Sequence, residues 1–359
     1  MLFYLVLFGL ATILYFLNSY QKAKPLFLLF AVISIFIAGF RDMIGGYDIY
    51  VYSYVYELPL EQIDEVLIFE PGFILFYKFL KIFNSDRHFM IFVTSLILLG
   101  GYYYYLKKLS VAFFFSLFIF FTKFYLMSFV YIRQGIAIIL TLMALQYLIK
   151  SKKKYSILLI IIAAFFHKSA IVLLPFVFVC NFKFSNLQIL IIAVIVFIFG
   201  SSGLGTALVG SVGEAVDSEK LKVYTDIGVK VNIFYVFEGV LVLLLLFLNR
   251  NKFYKTKVNT LYFNGLLFYG IIILFTVANP TFVRLSWYYF IFVSLGLPLI
   301  YNFSEGVNSK RVFKTAVYTY YTLLFFRLMI LYDGGDFMPY KSIFQDFDRQ
   351  GRWEFYEYK

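Results

Sequence analysis

Apolar runs alternate with short polar interruptions from one end of the chain to the other. A helix rising 1.5 Å per residue needs roughly 20 residues to cross a hydrocarbon core of ~30 Å. On this pattern helices are predicted over residues 2–17, 25–40, 89–105, 111–122, 132–149, 155–166, 170–181, 187–200, 232–249, 259–277, 285–301 and 312–330, which makes about twelve membrane spans. Several are too short to cross fully, so their ends are recessed. The shortest pair is the hairpin 155–166 and 170–181, whose turn carries His167 and Lys168. That turn is expected below the outer membrane surface, facing protein or a wet cavity. Residues 70–83, EPGFILFYKFLKIF, have acidic flanks and carry Lys78 and Lys81, so they read as a re-entrant or interfacial outer helix. The expected fold class is an all-α polytopic integral membrane protein. One transmembrane domain is expected over 1–359, with an outer loop at 201–231 and an outer C-terminal tail at 332–359.

Composition agrees: 62% of residues are hydrophobic, 14% are charged, and the mean hydropathy of +0.84 excludes a soluble globular domain. The formal charge of +12 would suit a nucleic-acid binder, but its placement says otherwise. Half of the 32 Lys and Arg lie in six short loops: Lys22 and Lys24; Lys107 and Lys108; Lys150 and Lys152 to Lys154; Lys183; Arg250 to Lys257; and Lys310, Arg311 and Lys314. These loops hold a single acid, Glu305, and are predicted to face the cytoplasm. Nearly all other acids, including Asp42, Asp48, Glu57, Glu61 and Glu70, fall in the intervening segments and face outward. Both termini are then outside. The first run lacks a basic leader and continues into further spans, which argues against a cleaved signal peptide. Tyr102 to Tyr105 read as an interfacial aromatic belt. The single cysteine, Cys180, precludes an intrachain disulfide, so the outer loops must hold by packing.

Candidate chemistry collects at the predicted outer rim. Arg41 closes the second span, Arg133 opens the fifth, Arg284 opens the eleventh, and Arg327 lies near the end of the twelfth. A guanidinium stays charged and binds phosphate oxygens in bidentate fashion, so converging arginines would suit a diphosphate. Snorkelling to head groups or pairing with an acid explains any one of them equally well. Arg133 and Arg284 lack an acid nearby in sequence. His167 would serve as a base or as a hydrogen-bond donor to phosphate or sugar, or would merely end a helix; His88 reads as a loop residue. In FRDMIGGYDIYVYSY, Gly45 and Gly46 allow a turn or close ligand approach, and Asp48 is placed to cap the next helix. Asp48 with Tyr50 and Tyr52 is equally what a carbohydrate site uses. The Asp-x-Asp at 346–348 lies in the outer tail, where no nucleotide sugar is expected. No Walker motif, dinucleotide loop or Cys/His cluster occurs, so neither a cofactor nor a metal is expected.

Taken in order, Arg41, Gly45 or Gly46, Asp48 and Tyr50 or Tyr52; Glu70-Pro71-Gly72-Phe73; Ile132-Arg133-Gln134-Gly135-Ile136-Ala137; Phe166-His167-Lys168-Ser169-Ala170; Arg284 before an aromatic span; and Pro339-Tyr340 resemble the EpsG family. That family is grouped with Wzy-type polymerases of bacterial exopolysaccharide, capsule and O-antigen. The resemblance implies transfer of a growing glycan from a polyprenyl diphosphate carrier to the next lipid-linked repeat unit, at the outer face of the bacterial cytoplasmic membrane. It implies catalytic roles for His167, Asp48, Arg133 and Arg284, and substrate contacts from Arg41, Arg327, Tyr50, Tyr52, Glu70, Lys168 and Tyr340. The expected partners are the polyprenyl-diphosphate-linked oligosaccharide and the bilayer, with a flippase and a chain-length regulator as further candidates. The alternatives are an O-antigen-ligase-like or acyl-transferring enzyme, and a glycolipid flippase or other transporter. A transporter should show paired repeats and midplane polar residues, whereas Glu238 and Gln146 are the few deep polar residues here.

Overall fold

The computed structural model describes all residues except 18–19, 64–68, 203–230, 279–281, 350, 352 and 354–359. The predicted outer loop at 201–231 lies almost wholly outside the described residues. Among the described residues the regular structure is entirely helical, with one isolated bridge between Arg41 and Ser342. In chain order the α-helices are α1 (Leu2–Phe16), α2 (Tyr20–Gly39), α3 (Gly46–Glu57), α4 (Leu60–Ile63), α5 (Pro71–Lys81), α6 (Arg87–Leu109), α7 (Phe113–Phe124), α8 (Met127–Val130), α9 (Ile132–Ile149), α10 (Lys153–Phe166), α11 (Leu174–Val179), α12 (Asn186–Ser201), α13 (Ile233–Phe253), α14 (Lys257–Phe275), α15 (Phe290–Phe303) and α16 (Val307–Arg327). Each of the twelve predicted apolar stretches forms such a rod, two of them with a 3-10 segment at their start, Lys168–Leu173 and Phe282–Tyr289. Six are long and apolar enough to cross a membrane by length and composition: Gln21–Gly39, Arg87–Leu109, Ile132–Ile149, Ile233–Phe253, Lys257–Phe275 and Phe282–Phe303.

Local chemistry sets the ends. Asp86 accepts from the His88 backbone N–H to start α6, Asn232 from Phe234 to start α13, and Thr256 from Asn259 to start α14. Ser185 and Gln188 form a reciprocal capping box at α12. Pro71, at the first position of α5, has no N–H to leave unsatisfied there.

The chain divides into two compact units, one comprising residues 1–143, 158–170 and 297–359, the other 144–157 and 171–296. In the first, α1 and α2 pack with α6, α7 and α16 through aromatic side chains. Phe8 stacks on Phe325 at 5.1 Å, Phe118 on Tyr318 at 5.1 Å, and Tyr102 on Phe120 at 4.2 Å. Ring packing of this kind supplies directional van der Waals contact where lipid would otherwise compete equally for an apolar surface. The tyrosines 102–105 are therefore not a belt: Tyr102, Tyr103 and Tyr105 are buried and only Tyr104 is exposed.

Between α2 and α6 the first unit builds a smaller cluster. Phe73, Tyr77 and Leu80, at helical spacing on α5, are buried with Ile49, Tyr52 and Tyr56 of α3, Met90 and Ile91 of α6, and Ile132 of α9. The other face of α5 and its exit leave Leu75, Phe79, Ile82 and Phe83 exposed.

In the second unit, Asn264 of α14 donates to the carbonyls of Val179, Cys180 and Phe182, closing the end of α11. Tyr269 of α14 donates to Glu238 of α13 at 2.5 Å. Apart from Gln188 of its capping box, the exposed side chains of α12 are Leu, Ile, Val and Phe, including Leu190, Val194 and Ile198.

Candidate functional site

Glu70 stands at the N-cap of α5, yet its side chain makes no capping bond. Its carbonyl accepts from Phe73 and Ile74, and its carboxylate reaches away from its own helix to two others. Oε2 lies 2.5 Å from Nη1 of Arg133, in the first turn of α9, and Oε1 lies 3.1 Å from Nδ1 of His167, just past the end of α10. The Lys168 backbone N–H also donates to Oε1, at 3.2 Å. One carboxylate thereby ties three segments of the first unit together.

A close approach makes this possible. A β-carbon on Gly72 would sit 2.7 Å from the carbonyl oxygen of Phe165, so only glycine lets the start of α5 touch the end of α10. His167 ends that helix, its N–H bonded to the Ala163 carbonyl at 2.9 Å, and the chain turns into the 3-10 segment beginning at Lys168.

Arg133 is further held by rings. Its guanidinium carbon lies 4.7 Å from the centre of Phe69 and 5.7 Å from that of Tyr52, distances at which a cation is attracted to the ring face. The Tyr52 hydroxyl, 3.5 Å from Nε, is too far for a strong hydrogen bond. Arg133 has no acid nearby in sequence, but the fold supplies one from 63 residues away.

The carboxylate lies beneath its partners. Side-chain exposure is 8% for Glu70, 16% for Arg133 and 26% for His167. Burial alone would raise the Glu70 pKa, but the His167 hydrogen bond, the Arg133 charge and the Lys168 N–H prevail and hold it at about 2. An ionised carboxylate that is buried, with a cation and an imidazole reaching the surface above it, can orient the imidazole for proton transfer and place positive charge beside it.

The other candidate residues fall elsewhere. Arg41 is 1% exposed, and its guanidinium donates to the carbonyls of Ile44, Ala38 and Phe129 and to Ser95. It braces the chain where α2 gives way to α3. Tyr340 is buried and donates to the Ile37 carbonyl at 3.0 Å. Gly45 and Gly46 have φ of +141° and +67°, and a β-carbon on Gly45 would meet the Phe129 carbonyl at 2.6 Å, so the glycine pair serves contact with the protein itself. Asp48 is not the cap it was expected to be, because α3 begins at Gly46 behind Gly45; it lies in the first turn, half-buried. Tyr50 and Tyr52 are buried in the α3–α5 cluster. Lys168 is exposed beside His167, and Arg327 ends α16 half-buried. Arg284 belongs to the second unit, half-buried in the 3-10 segment Phe282–Tyr289.

One cluster escaped sequence reading. His88, expected in a loop, lies in the first turn of α6, with Nε2 3.0 Å from Asp42 Oδ1, while Lys341 approaches Asp42 Oδ2 at 3.1 Å. The His88 hydrogen bond, aided by Lys341, outweighs burial and holds the Asp42 pKa at about 2. Part of the expected outer tail is thus tied back: Asp42 N–H donates to the Lys341 carbonyl and Ile343 N–H to that of Phe40. A histidine, an aspartate and a lysine separated by 46 and 299 residues leave no local signal. Among the described residues no group of three or more His, Cys, Asp or Glu is placed to hold a metal ion.

The profile described as the EpsG family matches residues 24–342, nearly the whole chain and every residue of the Glu70 cluster. No curated protein and no solved structure matches the chain.

Proposed function

Because the chain belongs to the EpsG family, and so at family level to the Wzy-like polysaccharide polymerases, we propose that Glu70, Arg133 and His167 form the centre of a glycosyltransferase using a polyprenyl-diphosphate-linked oligosaccharide. The acceptor is the next lipid-linked repeat unit, and the reaction takes place at the outer face of the cytoplasmic membrane. The acceptor hydroxyl attacks the anomeric carbon of the donor glycan, the bond from that carbon to the diphosphate oxygen breaks, and the diphosphate leaves with the electron pair. His167, oriented through Nδ1 by Glu70, takes the hydroxyl proton at Nε2. Arg133 and Lys168 offset the charge that develops on the leaving diphosphate. Asp48 and Arg284 are the reserve candidates for base and for diphosphate contact.

The observation that carries this reading is the shared carboxylate, which joins the two residue types the chemistry needs within 3.1 Å of Glu70. The charge pattern supports the outer face, since residues 40–87, the start of α9 and the end of α10 all fall on the side away from the lysine-rich loops. The same alternation gives about twelve crossings with both termini outside.

The test is polymer formed from purified lipid-linked repeat units by detergent-solubilised variants, normalised to folded protein. His167→Ala should abolish polymer at near-normal abundance and thermal stability, and His167→Gln should restore it only if hydrogen bonding suffices. Wild-type turnover per folded His167→Ala molecule would remove this residue from the mechanism.

A further inference from the structure

The far end of the first unit carries a basic double cavity that glycosyl transfer leaves unused. Met90 and Ile91 of α6 lie in the cluster beneath α5, and Lys107 lies about 25 Å further along that helix. Helix α1 runs the same way: Tyr4 donates to the Phe337 carbonyl near one end, and Tyr15 to the Lys314 carbonyl, at 2.7 Å, near the other. At this second end a cavity of about 410 Å³ is lined by Tyr15, Lys107, Tyr301 and Lys314 among others. A neighbouring cavity of about 550 Å³ shares Tyr301 and Lys314 and adds Lys310 and Arg311.

Four cations therefore surround adjoining spaces, and no carboxylate lines either one among the described residues. Glu305, the acid nearest in sequence to Lys310, is not in the lining. Two of the lysines stand against aromatic walls: Lys314 Nζ is 5.1 Å from the Tyr15 ring and 5.5 Å from Phe16, and Lys310 Nζ is 5.8 Å from Tyr301. Such contacts keep the ammonium groups at the cavity edge, where an incoming anion meets charge already in place. Basic loops commonly fix topology and bind nothing in particular. Here the basic groups line clefts of a size suited to a small molecule.

We propose that the double cavity binds a phosphate-bearing anion, on the membrane face opposite the Glu70 cluster. Lysines supply point charge and Arg311 a planar fork, the combination that recognises phosphate oxygens. The charge pattern puts this face in the cytoplasm, so the phosphate could belong to an anionic lipid head group or to a soluble phosphorylated metabolite. Nothing in the proposal depends on the glycosyl-transfer reading.

The experiment uses the full chain in nanodiscs and reads its thermal unfolding midpoint. Phosphatidylcholine discs are compared with discs containing phosphatidylglycerol, and, separately, with phosphatidylcholine discs given soluble pyrophosphate. A saturable rise of about 5 °C at a hundredfold excess over the dissociation constant is expected in one arm. A rise with phosphatidylglycerol alone identifies a lipid head group; a rise with pyrophosphate identifies a soluble ligand. Lys310→Gln with Arg311→Gln, which spares the Lys314 contact to Tyr15, should abolish the rise, and Lys107→Gln on another helix should reduce it. Lys152→Gln with Lys154→Gln, which removes equal charge from a different basic loop, should leave it intact. No rise in either arm, a rise retained by the Lys310/Arg311 variant, or an equal loss in the Lys152/Lys154 variant would overturn the site.

Discussion

Replacing Glu70 with glutamine keeps the shape of the side chain and removes its charge, which separates packing from electrostatics at the candidate centre. At 2.5 Å and an effective dielectric constant of ~20, the attraction to Arg133 is about 6–7 kcal/mol before burial is counted. Burial of both groups offsets part of this. The fall of the Glu70 pKa from 4.5 to about 2 corresponds to a net preference of about 3 kcal/mol for the ionised form. Solvent screens little of it, because the side chain is only 8% exposed. Glu70→Gln should therefore destabilise the folded protein by about 2–3 kcal/mol at neutral pH, and Arg133→Gln added to it should cost less than when made alone. A depressed carboxyl pKa gives stability that is complete above 4.5 and disappears as the pH falls toward 2. The difference between wild type and Glu70→Gln should accordingly narrow over that window. Turnover per folded molecule should fall at least ~100-fold, since the imidazole loses its orienting carboxylate. Denaturant unfolding in detergent between pH 7 and 3, together with polymer synthesis, measures both. Stability within about 0.5 kcal/mol of wild type, with normal turnover, would refute the shared-carboxylate argument.

Arg133→Lys keeps the charge but cannot both reach Glu70 and lie flat against Phe69, so polymer turnover should fall at least tenfold with normal protein level; the same change at Arg284 tests whether the second unit contributes to diphosphate contact. Gly72→Ala drives a methyl group against the Phe165 carbonyl and should destabilise by about 1–3 kcal/mol, with activity lost through displacement of Glu70 from His167, as thermal unfolding and polymer assays will show. A cysteine at Ser218 should react with an impermeant thiol reagent in intact spheroplasts and one at Thr256 should not; reversed labelling would place the Glu70 cluster on the cytoplasmic side.

The helical rods and their order were legible because a bilayer leaves the backbone no alternative to internal hydrogen bonding, so a run of apolar residues already determines its own secondary structure. The same locality exposed Glu70, Arg133 and His167 as polar residues at the ends of apolar runs, and α5 as a helix out of step with the spans. Their partnership was not legible. Glu70 is 63 residues from Arg133 and 97 from His167, and whether such side chains meet depends on how each helix is rotated and how closely α5 approaches α10 at Gly72. Hydropathy is blind to rotation in membrane helices, where small-residue contacts and ring packing set the interfaces. For that reason the outer-rim arginines, alike in sequence, took different roles: tertiary contacts enclosed Arg41 among backbone carbonyls and joined Arg133 to a carboxylate. Tyr102 and Tyr103 were turned inward for the same reason, because α7 brought Phe120 and Phe124 against their helix. Sequence decided which segments are helical and the sidedness their charges predict; the packing of those helices decided which of the exposed-looking charges became a cluster and which became structure.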